Sequence, residues 1–143
     1  MSRLLDVCSP SAEARSAVDG AEIVVLAPSS PVPVIDAAWP APGSYVTTPG
    51  PKQEGRAEVG LDLPERASLL VTDSIAQIDA YQPPNVLVGT PHRQRLVSLG
   101  TVRAGQVPRP APDGITLFFC VGLAGTEAFL LDRLASKTRA EGR

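Results

Sequence analysis

Four short stretches carry side chains with chemistry to offer. Ala27-Pro28-Ser29-Ser30-Pro31 is a small, hydroxyl-bearing loop that follows an apolar run. Pro49 to Arg56 is rich in chain breakers and carries two cations, Lys52 and Arg56. Asp73-Ser74 closes a third apolar run, and Cys120-Val121-Gly122 closes a fourth. Open α/β sheets bind ligands outside the carboxyl ends of their strands, which is where these stretches fall. Each also has a plainer reading. Lys52 and Arg56 serve equally well as solvated loop charges. Ser29 and Ser30 serve as strand terminators, and Asp73-Ser74 as a helix cap. His92, the sole histidine, follows Thr90-Pro91 in a loop. It has no nucleophile or metal partner in view, so a surface or capping role outweighs catalysis. Cys8 and Cys120 stand far apart, outside any metal-like spacing, and read as buried free thiols. No metal site is expected.

Strands and helices must hold these loops in place. Leu4–Cys8 reads as a short strand, followed by Ser9-Pro10 as a helix start and a helix over Ser11–Val18. Asp19-Gly20 ends it. Glu22–Leu26 is the clearest strand, a continuous apolar run of the kind buried in a parallel sheet. Ser44–Thr48 and Ser68–Asp73 are further strands. Leu63–Ala67 holds a helical turn, and Ser74 caps a helix from Ile75 to Tyr81. Val86–Val88 has the character of a brief pairing segment. Arg95–Ala104 reads as a helix on the spacing of Leu96, Leu99 and Val102, with Gly105 as its stop.

The chain closes on Ile115–Cys120, a β-branched and aromatic strand, and then on a helix through Ala135. Ala124, Ala128, Leu131 and Ala135 share one face of that helix, and Leu123, Leu130 and Leu134 flank it. It is expected to lie on an apolar surface built by the earlier chain, with Trp39 and the phenylalanines of the closing strand in the core. Strands alternating with helices or short loops give an α/β fold with a parallel sheet.

Composition narrows the partners. The chain has 143 residues, with 13 Lys and Arg against 15 Asp and Glu. So near a balance does not favour nucleic acid or an anionic membrane. No apolar run approaches the length of a membrane span, and the opening MSRLLDVCSP is too short in apolar residues for a signal peptide. A cytoplasmic protein is expected. Fifteen prolines stiffen the loops, notably at Pro28 to Pro42 and Pro108 to Pro112.

DGITLFFCVGLAGTEAFLLDRL resembles the closing segment of the ornithine cyclodeaminase/mu-crystallin family, which reads D-x-I-T-L-F-x-S-x-G before a long helix. VDGAEIVVLAPSS resembles the family's A-D-I-V-V-x-A-T-x-S segment. YVTTPGPKQEGRAEV resembles V-N-x-V-G-x-D-x-P-G-K-x-E. Pro33 to Gly43, SLLVTDS and LGTVRAGQVP resemble three further segments in the same order. The resemblance implies an NAD- or NADP-linked enzyme of a small amino or imino acid. It implies cofactor contacts at Ala27, Pro28, Ser29, Pro49, Gly50, Pro51 and Cys120. It implies substrate contacts at Arg56 and Val121. The family's catalytic aspartate falls on Lys52, and a lysine acts as a base only where burial strongly lowers its pKa.

The resemblance also implies a fold: a partial, doubly wound Rossmann-type sheet lacking the first two strands. Residues 1–110 are expected to form the partial NAD(P)-binding domain, and residues 111–143 the closing strand and long C-terminal helix. There is no G-x-G-x-x-G turn for a pyrophosphate, so cofactor binding is expected to be weak. Two readings follow: a truncated enzyme chain, or a non-catalytic remnant or interaction protein. Glu22–Leu26 is expected as an apolar sheet edge. Leu4–Cys8, a homodimer mate or a second chain would cover it.

Overall fold

The computed structural model describes residues 9–140. Its centre is a five-stranded parallel sheet in the order β1-β2-β7-β5-β6. These strands are β1 (Ile23–Val25), β2 (Tyr45–Thr48), β5 (Leu69–Thr72), β6 (Leu96–Ser98) and β7 (Thr116–Phe119). A two-residue hairpin, β3 (Lys52–Gln53) with β4 (Arg56–Ala57), stands apart from it. The helices are α1 (Ala14–Val18), α2 (Asp62–Arg66), α3 (Ile75–Ala80), α4 (His92–Arg95), α5 (Leu99–Arg103) and α6 (Ala124–Ala140). The α/β reading is what the sheet delivers. The expected Leu4–Cys8 strand, its pairing with β1, and Cys8 lie outside the described residues.

The last strand in sequence, β7, lies in the middle of the sheet, paired on both sides. It pairs with β2 from Tyr45↔Thr116 to Thr48↔Phe119 and with β5 from Leu69↔Thr116 to Thr72↔Phe119. The register explains the core. Val24, Val46, Leu117, Leu70 and Leu96 stand side by side across the sheet, and all are buried. With Phe119, Leu63, Ile78 and Leu87 they form one continuous apolar cluster. Trp39 packs against that cluster while half-buried, and Phe118 on the other face is half-buried too.

Three expectations need correction. Leu96–Ser98 is not helical: it is the edge strand β6, between two helices of one turn each. Leu96, Leu99 and Val102 keep helical spacing, but Leu96 gains more by pairing with Leu70 and filling the core. A short apolar run does not settle helix against strand by period alone. Next, α1 starts at Ala14 with Glu13 at its cap and no side-chain cap bond, so Ser9-Pro10 does not start it. Last, among the described residues α6 finds no apolar surface to lie on. Phe129, Leu130, Leu131 and Leu134 are each at least 60% exposed. Pairing near Val86–Val88 occurs one residue early: Asn85 bridges Gln53, and Val86 N donates to Lys52 O.

Candidate functional site

The carboxyl ends of β1, β2, β7 and β5 lie along one rim of the sheet. Four loops leave from there: Ala27–Ser29, Pro49–Lys52, Cys120–Gly122 and Asp73-Ser74. The sheet is parallel, so every strand delivers its loop to the same side. Because β1, β2 and β7 are neighbours, the three loops named for cofactor contact stand next to one another.

Ser74 is the N-cap of α3, its Oγ accepting from Gln77 N at 3.2 Å. Asp73 does something else. Its carboxylate accepts from Val121 N at 2.8 Å and from Gly122 N at 2.9 Å. Thr72 Oγ1 donates to Phe119 O at 2.8 Å one step below. Together they fasten the end of β5 to the end of β7. Val121 therefore presents a backbone N–H that is already engaged. Cys120 is a half-buried free thiol whose sulfur lies 3.7 Å from Asp73 Oδ2. Burial pushes its pKa up, with further upward pressure from the Asp73 charge. It is a thiol of low reactivity.

Lys52 is 2% exposed. Its Nζ donates to Gly50 O at 2.5 Å and reaches Pro49 O at 3.5 Å. The ammonium thus folds back onto its own loop. Loss of water pulls its pKa below 10.5, partly offset by the charges of Cys120, Glu58 and Asp73. Arg56 is exposed, and its Nη2 donates to Ser29 O at 3.4 Å, which ties the β3–β4 hairpin to the loop after β1. Ala27, Pro28 and Ser29 are exposed, and Ser29 holds φ at 57°, rare for a residue with a Cβ. Pro49 is exposed, while Gly50 and Pro51 are half-buried.

The sequence reading passed over Glu58. It is fully buried, and its Oε2 accepts from Thr48 Oγ1 at 3.2 Å. Its Oε1 has no hydrogen-bond donor among the described residues. A Cβ on Gly50 would collide with that Oε1, so position 50 admits only glycine while Glu58 stays put. The available signal was an acid ending the Gly50–Glu58 stretch, eight residues after a glycine. Asp73 was visible only as a helix cap, because the backbone it holds is 48 residues away.

His92 opens α4 half-buried, with Nδ1 3.3 Å from Arg95 Nη1, and takes no part in the rim. An apolar groove of about 590 Å³ runs beside α1 and β1 and reaches the rim at Pro28, lined also by Ala17, Val18, Val24, Leu26 and Val34 among others. Among the described residues, no group of His, Cys, Asp and Glu is placed to hold a metal, and no helix is long and apolar enough to cross a membrane.

The ornithine cyclodeaminase/mu-crystallin family matches residues 5–136. The chain belongs to that family. Solved structures carry the same fold. A probable ornithine cyclodeaminase from Bordetella pertussis Tohama I aligns with a TM-score of 0.72 at 24% identity, over 85% of this chain and 40% of that one. The Δ1-pyrroline-2-carboxylate reductase of Thermococcus litoralis, solved with NADH and L-proline, aligns with a TM-score of 0.70 at 22% identity, over 91% and 42%. The iminosuccinate reductase of Paracoccus denitrificans, solved with NAD+, aligns with a TM-score of 0.74 at 20% identity, over 93% and 42%. No curated protein sequence matches the chain. This family member therefore spans about two fifths of the length of the solved structures it resembles.

Proposed function

We propose that this chain is the nucleotide-facing portion of an NAD(P)-linked enzyme of small amino or imino acids. One observation carries the reading: Ala27–Ser29, Pro49–Pro51 and Cys120 leave neighbouring parallel strands on one rim. The exposed Ala27-Pro28-Ser29 surface is small enough for close approach by a ligand. Arg56, held beside Ser29, is our candidate for contact with the substrate carboxylate, and Val121 of the closing segment is a second candidate for substrate contact. A cytoplasmic place goes with this role.

The described residues do not fit a whole dinucleotide. They hold no glycine-rich turn at a helix N-terminus for a pyrophosphate, and the N–H groups of Val121 and Gly122 are already taken by Asp73. A second reading, a non-catalytic remnant or interaction protein, is favoured by Lys52. It holds the position of the family's catalytic aspartate, and its ammonium is committed to two backbone carbonyls. Calorimetric titration with NADH and NADPH tests both readings. The first expects weak binding, in the millimolar range, that Arg56→Ala leaves intact and Ser29→Trp abolishes. Micromolar or tighter binding would overturn the claim that the pyrophosphate site is incomplete. No binding at any accessible concentration would leave the remnant standing alone.

A further inference from the structure

The misfit at position 52 goes further than an absent carboxylate. The loop after β2 is held residue by residue, and Lys52 and Glu58 do the holding. Thr48 Oγ1 donates to Glu58 Oε2 at 3.2 Å where the loop leaves the strand. Pro49 O and Gly50 O accept from Lys52 Nζ, at 3.5 and 2.5 Å. Pro51 O accepts from Glu58 N at 3.0 Å. Glu58 Oε1 lies against Gly50, 2.0 Å from where a Cβ would stand. Both side chains are buried, Lys52 and Glu58 alike. A lysine left in water would cost the fold nothing, whereas a buried one must be repaid by its hydrogen bonds. Here those bonds all go to one loop.

The β3–β4 hairpin carries this order further. Its register pairs Lys52 with Ala57, the neighbour of Glu58. The hairpin also reaches the loop after β1. Ala57 N donates to Pro31 O at 3.2 Å, Val34 N to Glu58 O at 3.0 Å, and Arg56 Nη2 to Ser29 O at 3.4 Å. The loops after β1 and β2 are thereby tied into one surface. We infer that Lys52 and Glu58 are positioning residues: at the position of the family's catalytic aspartate, Lys52 clamps the loop after β2 in a fixed shape, and the hairpin passes that order on to Ser29. The ammonium at position 52 is then spent on the loop and accepts no proton from a substrate. An aspartate there would leave the carbonyls of Pro49 and Gly50 without their donor. The order of the loops follows from these contacts alone; its effect on a nucleotide rests on the nucleotide-facing reading.

Amide NMR spectra of the full chain, with and without NADH, test this. Lys52→Met keeps most of the side chain's length and removes its donors. Without ligand, the amides of Gly50, Ser29, Ser30 and Val32 should shift and exchange faster with solvent, while those of β5 and β6 stay as in the wild type. Glu58→Ala should reproduce the changes at Gly50. Affinity for NADH should fall at least about fivefold in Lys52→Met, because binding must then order the loop. Lys52→Asp, which restores the family's residue, should lose at least as much. Ile78→Val, a core change on α3, should lower the melting temperature and leave the affinity unchanged, which separates positioning from lost stability. Unchanged Gly50 exchange in Lys52→Met would overturn the inference, as would changes that stop short of Ser29. Tighter binding by Lys52→Asp would overturn it too. If the wild-type chain binds no NADH, the nucleotide-facing reading fails, and the loop amides alone decide the clamp.

Discussion

The middle of the sheet and its β1 end are built from similar residues and meet opposite fates. Thr116-Leu117-Phe118-Phe119 and Ile23-Val24-Val25 are both short β-branched or aromatic runs. The first is paired on both sides, and its Leu117 and Phe119 are fully buried. The second is paired on one side only among the described residues, and Ile23 and Val25 lie open to water. At the middle, polar groups are used to fasten: Asp73 and Thr72 lock β5 to β7. At the margin, β1 is held to β2 by its backbone ladder. Apolar character alone does not decide burial; the number of neighbours that the topology supplies does.

Replacing a buried ring at the middle should have the largest effect. Phe119→Ala should cost about 3–5 kcal/mol, whereas Ile23→Ala, at 67% exposure, should stay within about 0.5 kcal/mol. Urea titration of both variants checks this, and similar losses would erase the distinction. Asp73→Ala comes next. It strands the N–H groups of Val121 and Gly122, and loss of charge-assisted bonds should cost about 2–3 kcal/mol. Asp73→Asn keeps one acceptor and should lose less.

The smallest effect is a slope with pH. Lys52 has a folded pKa below its ordinary 10.5, because burial penalises its charge. Between those two values the unfolded chain binds more protons than the folded one, so folding gains stability as pH rises through that window. Wild type should therefore gain on Lys52→Met as the solution is made alkaline. The raised pKa values of the tyrosines and Cys120 act the other way in both proteins. Lys52 itself holds the Cys120 pKa down, so its removal raises that pKa further and adds to the difference in the same direction. A difference that stays flat with pH would mean that Lys52 is better solvated than its 2% exposure implies.

Much of the fold was legible. Glu22–Leu26, Ser44–Thr48, Ser68–Asp73 and Ile115–Cys120 each contain a strand of the sheet, because an unbroken apolar run beside turn residues has few other uses. Ser74 capped its helix as read, since the cap is local. What escaped was long-range. Leu96–Ser98 became a strand because Leu70 offered it an edge. Glu58 fits its buried site only because a glycine stands eight residues back. The α6 stripe looked like core, yet the chain as described gives it nothing to lie on.

Hydrogen exchange tests the contrast between middle and margin most directly. Amides of β2, β7 and β5 should exchange only by global unfolding. Amides of β1 and α6 should exchange by local opening, well ahead of them, because β1 is paired on one side among the described residues and the α6 leucines are exposed. Protection of α6 as strong as that of β7 would contradict the account, and so would a β7 that exchanges as fast as β1.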